Sequence, residues 1–202
     1  EFNRDVIEAL RQPLEDGQIT VSRASGSVVY PAKVLMVAAC NPCPCGYLGD
    51  PVERCTCSSG TLDRYRRRLS GPILDRIDLH VSVPRLMPEE LVAISGKCGE
   101  SSADVRKRVK EARLRQEARW KEFGFQANSE VPEKILRQHI HIKPEVRAFM
   151  LQALNKVRLS GRGLSRVLRV ARTIADLENT EQLEIQHVAE ALSYREGEAL
   201  SW

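Results

Sequence analysis

A mixed α/β region followed by an all-α region is the fold class that this sequence predicts. Three observations carry it. Short β-prone apolar runs at 19–21, 28–30, 34–39 and 77–83 are confined to the first 84 residues. From Pro88 onward, apolar residues recur only at helical spacing. Between these halves the composition shifts over 84–101, which divides the chain into domains at 1–84 and 85–202.

The elements follow in order. Phe2, Val6, Ile7, Leu10 and Leu14 share one helical face, so a first helix runs to the turn chemistry of Pro13 to Gly17. No capping residue precedes it, which reads as a sequence that opens inside an element. Runs 19–21 and 28–30 flank the polar stretch 22–27 and predict a β-hairpin with Arg23 at its tip. The continuous apolar run 34–39 suits a buried parallel strand. A cysteine-rich loop spans 40–60, a helix is expected over 62–69, and 77–83 alternates like a further strand that stops at Pro84. Helices are then expected near 88–95, 102–123, 130–138, 144–157, 161–178 and 184–195, with no internal repeats or low-complexity tract.

Composition narrows the function classes. With 31 Lys+Arg against 27 Asp+Glu the net charge is +4, which permits a nucleic-acid partner without demanding one. Aromatic residues make up 5%, too few for a base-stacking platform. No apolar stretch is long enough to span a bilayer, and the first residues are no secretory signal, so the sequence reads as that of a cytoplasmic protein. Six cysteines in that setting point to metal or packing rather than disulfides.

Two C-x-C pairs, Cys43 with Cys45 and Cys55 with Cys57, lie on one loop with glycine and proline between them. Brought together, four thiolates make the closed tetrahedral shell of structural Zn²⁺, which leaves no open position for catalysis. The alternative is a loop of free thiols. Cys40 and Cys98 stand apart and read as packed or incidental. His139, His141 and His187 have neither metal-ligand spacing nor a neighbouring nucleophile.

Three long strings give a further reading. VAACNPCPCG at 37–46, RYRRRLSGPILDRIDL at 64–79 and LSGRGLSRVLRVARTIADL at 159–177 resemble the magnesium-chelatase-like AAA+ family, nearest its ComM/YifB competence-protein group. The opening seventeen residues resemble the stretch after that family's Walker B acidic pair. The resemblance implies a partial P-loop NTPase (AAA+) core with a hairpin, followed by an all-α lid. It also implies ATP and Mg²⁺ as cofactors and a homo-oligomer, a hexameric ring. One departure stands out: neither G-x-x-x-x-G-K-S/T nor an apolar strand ending in Asp-Glu occurs in these 202 residues. The 202 residues alone are therefore expected to be inactive toward ATP.

Roles transfer by position. Asn41 matches sensor 1, orienting water or touching the γ-phosphate, against a plain turn asparagine before Pro42. Arg76 matches the arginine finger, against a local ion pair with Asp75 or Asp78. Arg162 matches sensor 2, although Arg166, Arg169 and Arg172 share its helix and read as a solvated basic face. Arg23 is placed to touch DNA phosphates, against an exposed charged tip, and the same choice applies to Arg64, Arg66, Arg67 and Arg68. The charged helix from Asp104 to Phe123 interleaves both signs, as in Glu111 with Arg115, and reads as solvated. The family reading is a DNA-acting ATPase, a branch-migration helicase in natural transformation and recombination. The alternatives are a non-enzymatic zinc module that binds a protein, or the magnesium chelatase ATPase subunit.

Overall fold

The computed structural model describes residues 2–88, 99–157 and 160–196. It is a mixed α/β structure with one small two-stranded sheet and many helices. The described residues fall into two compact units, one up to Ile77 and one from Asp78 onward.

The first unit begins with two short helices, α1 (Arg4–Ala9) and α2 (Arg11–Asp16), where a single helix was expected. The break at Leu10 follows from Pro13, which has no N–H to give the Ala9 carbonyl and whose ring crowds it. Strands β1 (Gln18–Arg23) and β2 (Gly26–Pro31) pair antiparallel from Gln18 with Pro31 to Arg23 with Gly26. The hairpin is thus longer than its apolar runs. Ser22 and Ser27 face each other with Oγ atoms 2.8 Å apart, which carries the ladder through the polar stretch and leaves a two-residue turn.

The buried strand expected at 34–39 is not formed. This segment is extended but unpaired, with Leu35 94% and Val37 87% exposed. A parallel strand needs neighbours for its N–H and C=O groups, and β1–β2 is the only sheet among the described residues. Residues 77–83 likewise form no strand, although His80 N–H donates to the Tyr194 carbonyl at 2.8 Å. Helix α3 (Ser59–Arg66) starts three residues earlier than expected because Ser58 caps it, its Oγ accepting from Thr61 N–H. A short α4 (Gly71–Leu74), with Pro72 in its first turn, completes the unit.

The second unit is helical. Beyond residue 88, the helix expected over 88–95 lies outside the described residues, as does Cys98. Helices α5 (Ser102–Trp120), α6 (Glu133–His139), α7 (Pro144–Val157), α8 (Gly161–Leu177) and α9 (Ile185–Glu196) follow the expected order. Their shared core holds Trp120, Leu136, Val146, Val167, Ala171, Leu183 and Val188, all fully or almost fully buried. Helix α8 is the most amphipathic, and its apolar face fills the centre of this core.

Arg166, Arg169 and Arg172 of α8 are not a solvated face. Arg172 is buried and donates to Asp176 Oδ1 at 3.0 Å and to the carbonyls of Thr180 and Glu181. Arg169 donates to the Val131 carbonyl at 2.8 Å, and Arg166 pairs with Asp78 at 2.6 Å. The cause is their spacing. Positions 169, 172 and 176 fall beside the apolar stripe, and the chain after α8 turns back over Arg172 at Asn179, whose φ of 59° is left-handed. Helix α5 is likewise only partly solvated, because Arg115 donates to the Asp176 carbonyl at 2.9 Å.

Asp176, with no exposed surface, is the hub of this packing. Its carboxylate accepts from Arg119 on α5, Arg172 on its own helix and Asn128 Nδ2 at 2.9 Å. Asn128 in turn accepts from Trp120 Nε1 at 2.8 Å and donates its backbone N–H to Gln116. Removing one partner of a buried charge network strands the others, at about 3–5 kcal/mol. Asp176→Ala should lower the stability of the chain by that amount in urea unfolding, and Asp176→Asn by less. An alanine variant within 1 kcal/mol of the parent would mean that the arginines re-solvate freely.

His187 also has a structural role. It is fully buried, Nδ1 accepts from Glu184 N–H at 2.9 Å, and Nε2 lies 3.0 Å from Glu178 Oε2. It caps the start of α9 and uses both ring nitrogens to do so.

Candidate metal centre and nucleotide-site residues

Three turns fold the cysteine loop back on itself. Gly46 N–H donates to the Cys43 carbonyl at 3.0 Å, and Asp50 N–H donates to that of Tyr47 at 3.2 Å. Asp50 Oδ1 then accepts from the N–H groups of Val52 and Glu53, each at 2.8 Å. Gly46 and Gly49 sit at φ 85° and 80°, a backbone region that other residues enter only at a cost. The result brings the second C-x-C arm against the first.

All four sulfurs of Cys43, Cys45, Cys55 and Cys57 lie within 4.8 Å of one another. Cys43 Sγ is 3.3 Å from Cys45 Sγ and 3.7 Å from Cys55 Sγ, and Cys45 Sγ is 3.6 Å from Cys55 Sγ. A zinc tetrahedron with Zn–S of about 2.3 Å has sulfur–sulfur edges of about 3.8 Å, so the donor set fits the metal in kind and in size. Cys43 is fully buried and the other three are partly covered, whereas Cys40 is exposed and outside the cluster.

The thiols differ in acidity. Backbone N–H groups of Tyr47 and then Thr56 point at the Cys45 sulfur and lower its pKa to about 6, against the effect of burial. The Cys45 N–H favours the thiolate of Cys57, but burial and the sulfurs of Cys45, Cys43 and Cys55 outweigh it and push Cys57 up to about 12. Cys55 is raised in the same manner: the Cys57 N–H favours its thiolate, while burial and the Cys45 and Cys43 sulfurs oppose it. One thiolate is comfortable here and four are not, unless a cation joins them.

The loop is anchored to the other candidate residues of its unit. Asn41 is exposed two positions before Cys43, and its carbonyl accepts from Tyr65 Oη on α3 at 3.0 Å. Arg76 follows α4, and its side chain is only 13% exposed. It pairs with neither Asp75 nor Asp78. Its Nη1 donates to the Pro72 carbonyl at 2.6 Å and its Nη2 pairs with the Glu15 carboxylate on α2. Arg23 ends β1 beside the hairpin turn and is exposed. Arg162 is exposed in the first turn of α8, in the second unit. Tyr65, Glu15 and Asp176 escaped the sequence reading. Only Asp176 carried a signal, as an acid four residues after Arg172 beside an apolar helical stripe.

Residues 1–91 match the family described as magnesium chelatase, subunit ChlI, and residues 99–195 match its C-terminal family. The chain belongs to the magnesium-chelatase family. Within that family it is 42% identical over 195 residues to competence protein ComM of Haemophilus influenzae, covering 96% of this chain and 37% of ComM. It is 42% identical over 195 residues to protein YifB of Escherichia coli, covering 96% of this chain and 37% of YifB. YifB of Salmonella typhimurium is 40% identical over the same length. This magnesium-chelatase family chain thus spans less than two fifths of the length of these relatives. No helix among its described residues is long and apolar enough to cross a membrane.

Proposed function

We propose that this chain is part of a ring-forming AAA+ ATPase that acts on DNA. In its most concrete version it is a branch-migration helicase of natural transformation and recombination. The observation that carries this reading is the 42% identity to a competence protein along 96% of the chain. In this reading residues 1–84 are the later portion of the ATPase core and residues 85–202 are its helical lid. The full-length protein works in the cytoplasm as a homo-oligomer, a hexamer, using ATP and Mg²⁺.

Each candidate residue then has a task. Asn41 stands at the sensor-1 position, where an amide orients the attacking water. Arg76 is the arginine finger that neutralises charge on a neighbouring subunit's γ-phosphate. Arg162 is sensor 2 on the lid, and Arg23 meets DNA phosphates from the hairpin. Cys43, Cys45, Cys55 and Cys57 hold one structural Zn²⁺ that fixes the loop between Asn41 and α3.

A second reading has its own observation. Four cysteine sulfurs gathered within 4.8 Å of one another suit a zinc module that binds a partner protein.

The response of the full-length protein to DNA separates these readings. Branched DNA should raise the ATP turnover of the full-length protein and allow it to move a junction, and no response to any DNA would overturn the helicase reading. The 202 residues alone should show no calorimetric binding of Mg-ATP, since P-loop and Walker B groups supply most phosphate and metal contacts. Micromolar affinity in that titration would place the nucleotide site elsewhere.

A further inference from the structure

We propose that Glu15 is the positioning residue for Arg76, holding its guanidinium in a fixed orientation from within the same subunit. The inference rests on reading Arg76 as the finger. The two residues are 61 positions apart, yet their side chains meet in an ion pair, Arg76 13% and Glu15 31% exposed. A second contact, Nη1 to the Pro72 carbonyl at 2.6 Å, fixes the other arm of the fork. Nε is buried without a hydrogen-bond partner. A guanidinium has five N–H groups. With one hydrogen on each Nη engaged and Nε covered, the second hydrogen on each Nη is left for an incoming anion. They lie in the plane of a guanidinium whose orientation Glu15 and Pro72 set, and a guanidinium is a phosphate-binding group.

Magnitudes decide between orienting and restraining. If Glu15 merely restrained Arg76, its removal would release the finger and raise turnover, by a factor of about five at most for a partly exposed pair. If Glu15 orients it, removal leaves a long, rotamer-rich side chain held by the Pro72 carbonyl alone. Misplacement of a group that stabilises the transition state costs on the order of 10²-fold. The orienting effect is the larger, and loss of rate is the expected sign.

The test uses the full-length protein and its steady-state ATPase activity. Glu15→Ala should lower kcat by about 30- to 100-fold with KM for ATP within about twofold, because Arg76 acts on the transition state and not on ground-state binding. Glu15→Gln, which keeps an acceptor at the same reach, should recover most of that loss. In an Arg76→Ala background, Glu15→Ala should cost nothing more. An unchanged or raised kcat in Glu15→Ala would overturn the proposal, as would losses that multiply in the double variant. A kcat untouched by Arg76→Ala alone would instead sink the finger reading itself. Thermal melting of Glu15→Gln and Glu15→Ala separates lost positioning from lost folding, since equal melting with a lower kcat is the expected pattern.

Discussion

Purified in the presence of zinc, the chain should carry one Zn²⁺, and stripping it should unfold the loop between Cys43 and Cys57. The sulfur cluster makes this a large effect. Four thiols packed within 4.8 Å of one another lose solvent and repel as thiolates, and a divalent cation reverses both penalties at once. Structural zinc in small domains carries an apparent binding energy of about 10–16 kcal/mol, all of it available to folding. Binding must release the protons that the raised thiols hold, so metal affinity falls as the pH drops. Elemental analysis and chelation read this directly. A metal content well below one per chain, with four titratable thiols and an unchanged melting curve after chelation, would leave free cysteines as the account. Because the loop joins Asn41 to α3 and Tyr65 ties them again, metal loss should also impair ATP turnover in the full-length protein.

Arg76→Ala in the full-length protein should reduce ATP turnover by roughly 10³- to 10⁵-fold while sparing ATP binding. The reasoning concerns where charge develops. A finger contacts the transferring phosphoryl group of a neighbour's nucleotide, so it contributes little until the transition state forms. Arg76→Lys should rescue little, since a point charge cannot keep the two contacts that Arg76 makes to Glu15 and Pro72. Mixing Arg76→Ala subunits with subunits defective in nucleotide binding provides the check in trans. Loss of nucleotide affinity alongside turnover would show that Arg76 is holding its own unit together.

The sequence reading succeeded where the signal was local. The hairpin followed from two β-prone runs around a polar stretch, and the expected order of the helices in the second unit followed from apolar spacing. The convergence of the cysteine arms was also legible, because glycine, proline and aspartate between them permit the required turns. Non-local properties were not legible. The run at 34–39 has the composition of a buried strand, but burial depends on neighbours that composition does not describe. Arg169 and Arg172 read as solvated because they are arginines, and only the return of the chain past Asn179 shows that carbonyls meet Arg172. Glu15 and Arg76 are separated by 61 residues, and no periodicity links them.

The Asp176 hub also limits how the helical unit can diverge. Arg119, Arg172 and Asn128 all donate to one carboxylate, while Asn128 accepts from Trp120 Nε1 and gives its backbone N–H to Gln116 Oε1. Groups sharing a buried network respond non-additively to replacement, so the first change incurs most of the penalty and later ones little. Single substitutions at these positions therefore pass through a weakened intermediate. A lineage leaves this arrangement only by exchanging several members together, for instance an apolar set of similar volume. Among homologues the six positions should thus travel as a block, retained whole or replaced whole, while the exposed face of α5 drifts freely around them.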